Sequence, residues 1–246
     1  MTISKAIAAL TIVALFALRP ILPHRDFADY GRFADDAGSR FNERNVLSNL
    51  GFVIVGAAGV LWAMRHRREL ADDSAAVLTL FGGVIATAFG SAYFHLTPLD
   101  GGELNRFTLL WDRIPMTVAF AGLLALVLRD RVFHRPNRVA LPMLALIGIA
   151  TTLYWYWSWD LYPYAFFQLF AAAGTLLMIS TLRPSFTESG YVAAGVFLFG
   201  ISKVFEDFDR AIHSRWHVGG HPLKHIAGAM AALMILFWLQ KRRARV

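Results

Sequence analysis

Eight apolar stretches, at about 4–22, 46–64, 76–95, 108–128, 138–156, 162–182, 189–207 and 219–240, dominate this chain of 246 residues. A bilayer's hydrocarbon core is matched by a helix of roughly 20 apolar residues, so each stretch is a candidate span. Only 17% of residues are charged while 57% are hydrophobic, a balance unlike that of a soluble domain. The sequence predicts an all-α fold: a polytopic membrane helix bundle, with a seven-helix core over 46–240. The whole of 1–246 is expected to form one integral membrane domain. Residues 1–24 are read as an additional N-terminal helix, a signal peptide being the other reading, because Lys5 precedes a short apolar core. Residues 25–45 would form an outer leading segment and 241–246 a basic tail.

The formal charge of +7 raises the question of nucleic acid, but the basic residues sit in short loops between apolar runs. Arg65, Arg67 and Arg68 follow the second stretch; Arg129, Arg131, Arg135 and Arg138 follow the fourth. Arg183 follows the sixth, and Lys241, Arg242, Arg243 and Arg245 follow the last. All fall on one side of an alternating topology, whereas the other loops carry mixed charge. The positive-inside rule then puts both termini in the cytoplasm and the mixed loops outside. The expected partners are the membrane and a lipid drawn from it, not nucleic acid; no feature sets an oligomeric state. Cysteine is absent, which excludes disulfides, thiolate ligands and a cysteine nucleophile.

Against this apolar background, the polar residues at the outer helix ends are informative. Asn45, Ser48 and Asn49 open the second stretch, Ser91 and His95 close the third, and Asp112 lies near the outer end of the fourth. Lys203 and Glu206 close the seventh, and His221, Lys224 and His225 open the eighth. Ionisable groups at membrane depth are costly, so they face the bundle interior and pair with one another or with a ligand. Ser91 with His95, and His221 with His225, are each four residues apart and share a helix face. Two histidines one turn apart plus a third from another helix suit Zn²⁺ with a fourth position left open.

Each residue also has a plainer reading. His225 can bond a backbone carbonyl at its helix end, and His95 can cap its own helix. Asp112 and Arg113 can form an interfacial ion pair, and Ser91 can bond the carbonyl four residues back. The aromatic group Tyr154, Trp155, Tyr156, Trp157 and Trp159 reads as an interfacial belt. Lys203 and Glu206 are expected to pair or touch a head group. Lys224 is expected to point off the histidine face, towards the outer surface or an anionic head group.

Four motifs taken together, NVLSN, SAYFH, LLWDRIPM and GHPLKH, resemble those of the alkaline ceramidase family, in order and approximate spacing from about 27 to 238. That family is part of a superfamily of seven-helix membrane hydrolases that also includes adiponectin-receptor-like proteins. FADYGRFADDAGSRFNERNVLSNLGF looks like the leading segment of bacterial members. The resemblance implies zinc held by His95, His221 and His225, a catalytic serine at Ser91 and a catalytic aspartate at Asp112. Eukaryotic members share an acidic calcium site, and Asp29, Asp35, Asp36 and Glu43 lie in the corresponding region with a different spacing. Lys224 stands where those members tend to carry an aromatic residue. The expected reaction is hydrolysis of a ceramide-like N-acyl bond to a sphingoid base and a fatty acid. Asp112 would move the proton, Ser91 would bond the oxyanion, and Asn45, Ser48 and Asn49 would support the imidazoles. Three other readings are a hydrolase of another lipid amide or ester, a receptor-like protein with structural zinc, and a transporter.

Overall fold

The computed structural model describes residues 40–97 and 105–245. The first apolar stretch and Asp29, Asp35 and Asp36 lie outside the described residues. Within them the chain is helical, with an isolated β-bridge between Phe186 and Ala244.

Helix α1 (Arg40–Ser48) runs into α2 (Leu50–Arg65), followed by α3 (Ser74–Leu96), α4 (Arg106–Leu128) and α5 (Ala140–Ser158). Then come α6 (Tyr162–Leu169), α7 (Thr175–Thr181), α8 (Ser189–Asp207), the short α9 (Asp209–Trp216) and α10 (Gly220–Lys241). Helices α6 and α7 are one span interrupted by a π-turn at Phe170–Gly174, which the apolar pattern does not signal. A π-turn inserts one extra residue into the helix and is common beside functional sites. Here it brings Ala172 to the cavity walls described below.

Five helical segments of the described chain are long and apolar enough to cross a membrane: Glu43–Arg65, Arg67–Leu96, Ala140–Ser158, Tyr162–Thr181 and Gly220–Lys241. The helices α4 and α8, of 23 and 19 residues, carry Asp112 and Arg113, and Lys203, Glu206 and Asp207. Together these make the seven core helices expected from the sequence.

Helix α3 packs on α2 and α4, and α10 on α8 and α2. Glycine sets the closest approach. A Cβ at Gly90 would lie 2.0 Å from the Trp111 carbonyl oxygen and 3.1 Å from Asp112 Cα. Only a residue without a side chain lets α3 and α4 touch backbone to backbone there, as membrane helices do at small residues. Gly90 and Trp111 are the chain neighbours of Ser91 and Asp112, so this contact presses those two residues' helices together.

The other end of the bundle is tied by buried ion pairs. Asp73 receives Arg129 Nε on one oxygen and Arg242 Nη2 on the other, each at 2.6 Å. Asp130 receives Arg131 Nε at 2.8 Å and the amides of Ser185 and Phe186 at 2.8 and 2.9 Å. Burial pushes the Arg242 guanidinium below its usual range, and the Asp73 carboxylate pulls it back up. Three of the arginines read as loop charge, Arg129, Arg131 and Arg242, are thus structural clamps, while Arg65, Arg67, Arg68, Arg135, Arg138 and Arg183 are exposed. These clamps join the start of α3 to the ends of α4 and α10. The opposite ends of the same three helices therefore meet as well.

Candidate metal centre

At that opposite end the three imidazoles converge. His95 closes α3, and His221 and His225 occupy the first two turns of α10. All three are buried, at 2%, 7% and 3% exposure, and each offers a ring nitrogen within 4.8 Å of the others. Ring centroids are separated by 4.7 Å for His95–His221, 4.8 Å for His221–His225 and 5.5 Å for His95–His225. Three buried imidazoles with ring nitrogens this close form a ready donor set, because each neutral ring keeps one nitrogen lone pair. A divalent cation answers all three lone pairs together.

The surroundings of His225 fix its ring. Its Nδ1 lies 2.8 Å from Ser48 Oγ and 3.2 Å from the Asn45 carbonyl oxygen. The carbonyl can only accept, and Ser48 already donates its proton to that same carbonyl at 2.8 Å. Nδ1 therefore carries the hydrogen and Nε2 keeps its lone pair for a ligand. Ser91 Oγ sits 3.4 Å from that Nε2. The backbone-carbonyl reading of His225 is thus half right: the carbonyl belongs to another helix and orients the ring rather than occupying it. Asn49 buttresses the same carbonyl, donating from Nδ2 at 2.9 Å. Asn45 acts here through its backbone, because both polar atoms of its buried side chain lack a hydrogen-bond partner.

Beside the histidines opens a cavity of about 720 Å³ lined by His221, Asp112, Arg113, Lys203, Glu206 and Lys224 among many apolar residues. Lys203 Nζ donates to Glu206 Oε2 at 2.9 Å, the pair expected from the sequence. Lys224 corrects the expectation made for it. Its ammonium turns inward and pairs with Glu206 Oε1, and its side chain is only 16% exposed. At 3.6 residues per turn Lys224 lies about 100° round α10 from His225 and about 60° from His221. It therefore occupies the flank of the histidine face, and α8 packs on that flank. Trp155 is a second correction: it is fully buried, with the Arg113 guanidinium 3.9 Å from its ring centroid. Its neighbours Tyr154, Trp157 and Trp159 remain exposed, as a belt requires.

Comparison with known families matches residues 42–244 to the family described as Ceramidase. The chain belongs to the ceramidase family. It is accordingly a hydrolase, and the family supports action on ceramide. Comparison with curated proteins and with solved structures returns no match. The family match covers every described site residue of this ceramidase-family chain, including Glu43, which is exposed on the first turn of α1. Among the described residues the one cluster able to hold a metal is His95, His221 and His225.

Two further residues of this ceramidase-family protein position the site without having been legible beforehand. Asp209 opens α9, and its Oδ1 accepts the backbone amide of His221 at 2.9 Å. It caps the first turn of α10 from outside that helix, where the amides have no intrahelical partner. Gly220 permits this approach, since a Cβ there would lie 2.1 Å from the Phe205 carbonyl oxygen. Arg44 Nη1 donates to the His217 carbonyl at 2.5 Å, which ties α1 to the loop before α10. Asp209→Ala is expected to weaken metal binding at this cluster, because it frees the first turn of α10 that carries His221. Asp209→Asn keeps the accepting oxygen and should retain most of it. Chelator competition measures both, and equal affinities for Ala, Asn and the parent protein would remove this role from Asp209.

Proposed function

We propose that this chain is a zinc-dependent amidase that cleaves the N-acyl bond of ceramide-like lipids inside the membrane, releasing a sphingoid base and a fatty acid. The observation that carries this reading is the convergence of three buried imidazoles at the edge of a mainly apolar cavity holding Asp112. A neutral all-nitrogen donor set suits zinc, with its Nε2 lone pair at His225 already oriented by Ser48 and Asn45. His95, His221 and His225 would hold the ion, which supplies Lewis acidity to the amide carbonyl and to a water molecule.

The protein's own groups do the rest. The lipid enters with its chains against the apolar cavity walls and its amide beside the histidines. Asp112 takes a proton from the attacking water as its oxygen adds to the carbonyl carbon. Ser91 donates a hydrogen bond to the carbonyl oxygen as charge builds there. When the C–N bond breaks, Asp112 returns that proton to the departing nitrogen, so the amine leaves neutral and the acid remains. Asn45, Ser48 and Asn49 keep the His225 ring in place throughout. Both termini are assigned to the cytoplasmic side and the site to the outer leaflet, on the strength of the exposed arginines at the far end of the bundle.

Purified protein incubated with ceramide and with other N-acyl lipids should release fatty acid from ceramide most readily. A strong chelator should stop release, and added zinc should restore it. Release from another N-acyl lipid alone would move the substrate, and no chelator-sensitive release from any would reject the amidase reading.

A further inference from the structure

Three charged residues that line the main cavity take no part in the reaction derived above: Lys203, Glu206 and Lys224. Glu206 bridges the two lysines, accepting from Lys203 on Oε2 at 2.9 Å and from Lys224 on Oε1. Charges at membrane depth are costly. An ion pair that served only to join α8 to α10 would be matched or bettered by apolar packing. The clamps at the arginine-rich end fix helix termini, whereas this trio lines the open space that holds Asp112 and His221. Lys224 also lies between the two α10 histidines along the helix axis. It is about 4.5 Å beyond His221 and about 1.5 Å short of His225, so it leaves α10 at the depth of the metal centre.

The trio has hydrogen-bonding capacity to spare in both senses. Each ammonium carries three donors and spends one on Glu206, and each Glu206 oxygen accepts one bond where it can take two. A hydroxyl, which both donates and accepts, answers such a set. A bare anion would meet the Glu206 carboxylate, an ammonium would meet two cations, and a methyl group would answer neither. We propose that Glu206 and Lys224 bind a hydroxyl borne next to the amide-bearing carbon, and so select N-acyl amino alcohols over N-acyl alkylamines. In a ceramide-like head, both carbons flanking the one that carries nitrogen bear a hydroxyl. Those hydroxyls are so near the amide that any group binding them must share a cavity with the histidines, as Glu206 and Lys224 do. Lys203 holds Glu206 from its other side and keeps the carboxylate in place. This assignment rests on the function proposed above, because it takes the amide to lie beside the histidines.

Displacement of a fluorescent ceramide analogue from the purified full-length protein tests it without reading turnover. Ceramide should displace the probe at least about tenfold better than an N-acyl alkylamine with the same chains, the effect of one hydrogen bond to a charged group. Of two ceramides lacking only the primary or only the secondary hydroxyl, one should fall to the level of the alkylamine, which identifies the group bound. Lys224→Met should bring ceramide down to that level and leave displacement by the alkylamine unchanged, while Lys224→Arg should keep most of the preference. Lys203 still pairs with Glu206 in both variants, so the carboxylate is not stranded. A purely structural role for Lys224 would instead shift every competitor alike. Equal displacement by ceramide and the alkylamine in the parent protein would overturn the proposal with no variant needed. So would full preference retained in Lys224→Met, or stronger displacement by ceramide phosphate than by ceramide, which would make this an anion site. Lys224-dependent preference for the hydroxyl in a protein that leaves every N-acyl lipid intact would reject the amidase reading alone.

Discussion

Alanine at His95, His221 or His225 is expected to strip zinc from the purified protein and lower ceramide hydrolysis by about a thousandfold or more. The size follows from what is lost. In the proposed reaction the ion held by these residues would supply the main stabilisation of negative charge on the carbonyl oxygen, and removing even one oxyanion donor commonly costs about 10²–10³ in rate. Two imidazoles hold zinc far less well than three, and the loss is steepest where the set is rigid. The His225 ring is pinned at Nδ1 by Ser48 and the Asn45 carbonyl. Ser48→Ala should therefore reproduce a milder version of His225→Ala, lowering zinc affinity about 10–100-fold while leaving all three ligands present. Elemental analysis of the variants beside the parent decides the matter. Full zinc occupancy in a protein lacking all three histidines would sink the metal assignment outright.

Much of this site could be read before any coordinates, and the reason is parity. In an up-and-down bundle the end of one span and the start of the next lie at one end, so Ser91, His95, Asp112, His221 and His225 were expected at a common end, where the three histidines do meet. Span limits were nearly legible too: the stretch expected at 189–207 is helix α8, Ser189–Asp207. What could not be read depends on how each helix is rotated and on contacts between elements. Lys224 would reach solvent or Glu206 according to which flank of α10 met α8. Trp155 looked like one more belt aromatic, yet its position on α5 turns it onto Arg113 of α4. Asp209 was hidden because its partner is a backbone amide in another helix, and no side-chain pattern marks such a bond.

The same partition explains how one small bundle can carry both a stable frame and a polar reaction site. At the arginine-rich end the buried charges are locked by short bonds in which each carboxylate meets its cation, as at Asp73 and Asp130. At the histidine end charges line an open space instead. Lys203, Glu206 and Lys224 are paired among themselves, but Asp112 and His221 face the cavity they share. Burial in the first case fixes helix ends, and in the second it leaves groups available to a ligand.

Asp112→Asn separates catalysis from architecture most cleanly. The amide has nearly the shape of the carboxylate, so the α3–α4 contact at Gly90 and Trp111 should survive, and zinc content should match the parent. What disappears is the ability to take a proton from water and return it to the leaving nitrogen, a contribution typically worth about 10²–10⁴ in rate. Ceramide hydrolysis should fall by that order through kcat, with KM little changed, because Asp112 is one polar residue on a mainly apolar wall. Ser91→Ala should fall less, by roughly 10²-fold, since it removes one hydrogen-bond donor and no proton acceptor. A receptor-like protein with structural zinc makes the opposite forecast, because nothing it does depends on proton transfer at Asp112. Undiminished hydrolysis by the zinc-loaded Asn variant would take Asp112 out of the chemistry, and the base would then have to be sought among the other acids of the cavity, Glu206 and Asp207. Glu206 already holds two lysines, which makes it a poor acceptor, and Asp207 is exposed at the end of α8, which leaves Asp112 the group best placed to move the proton.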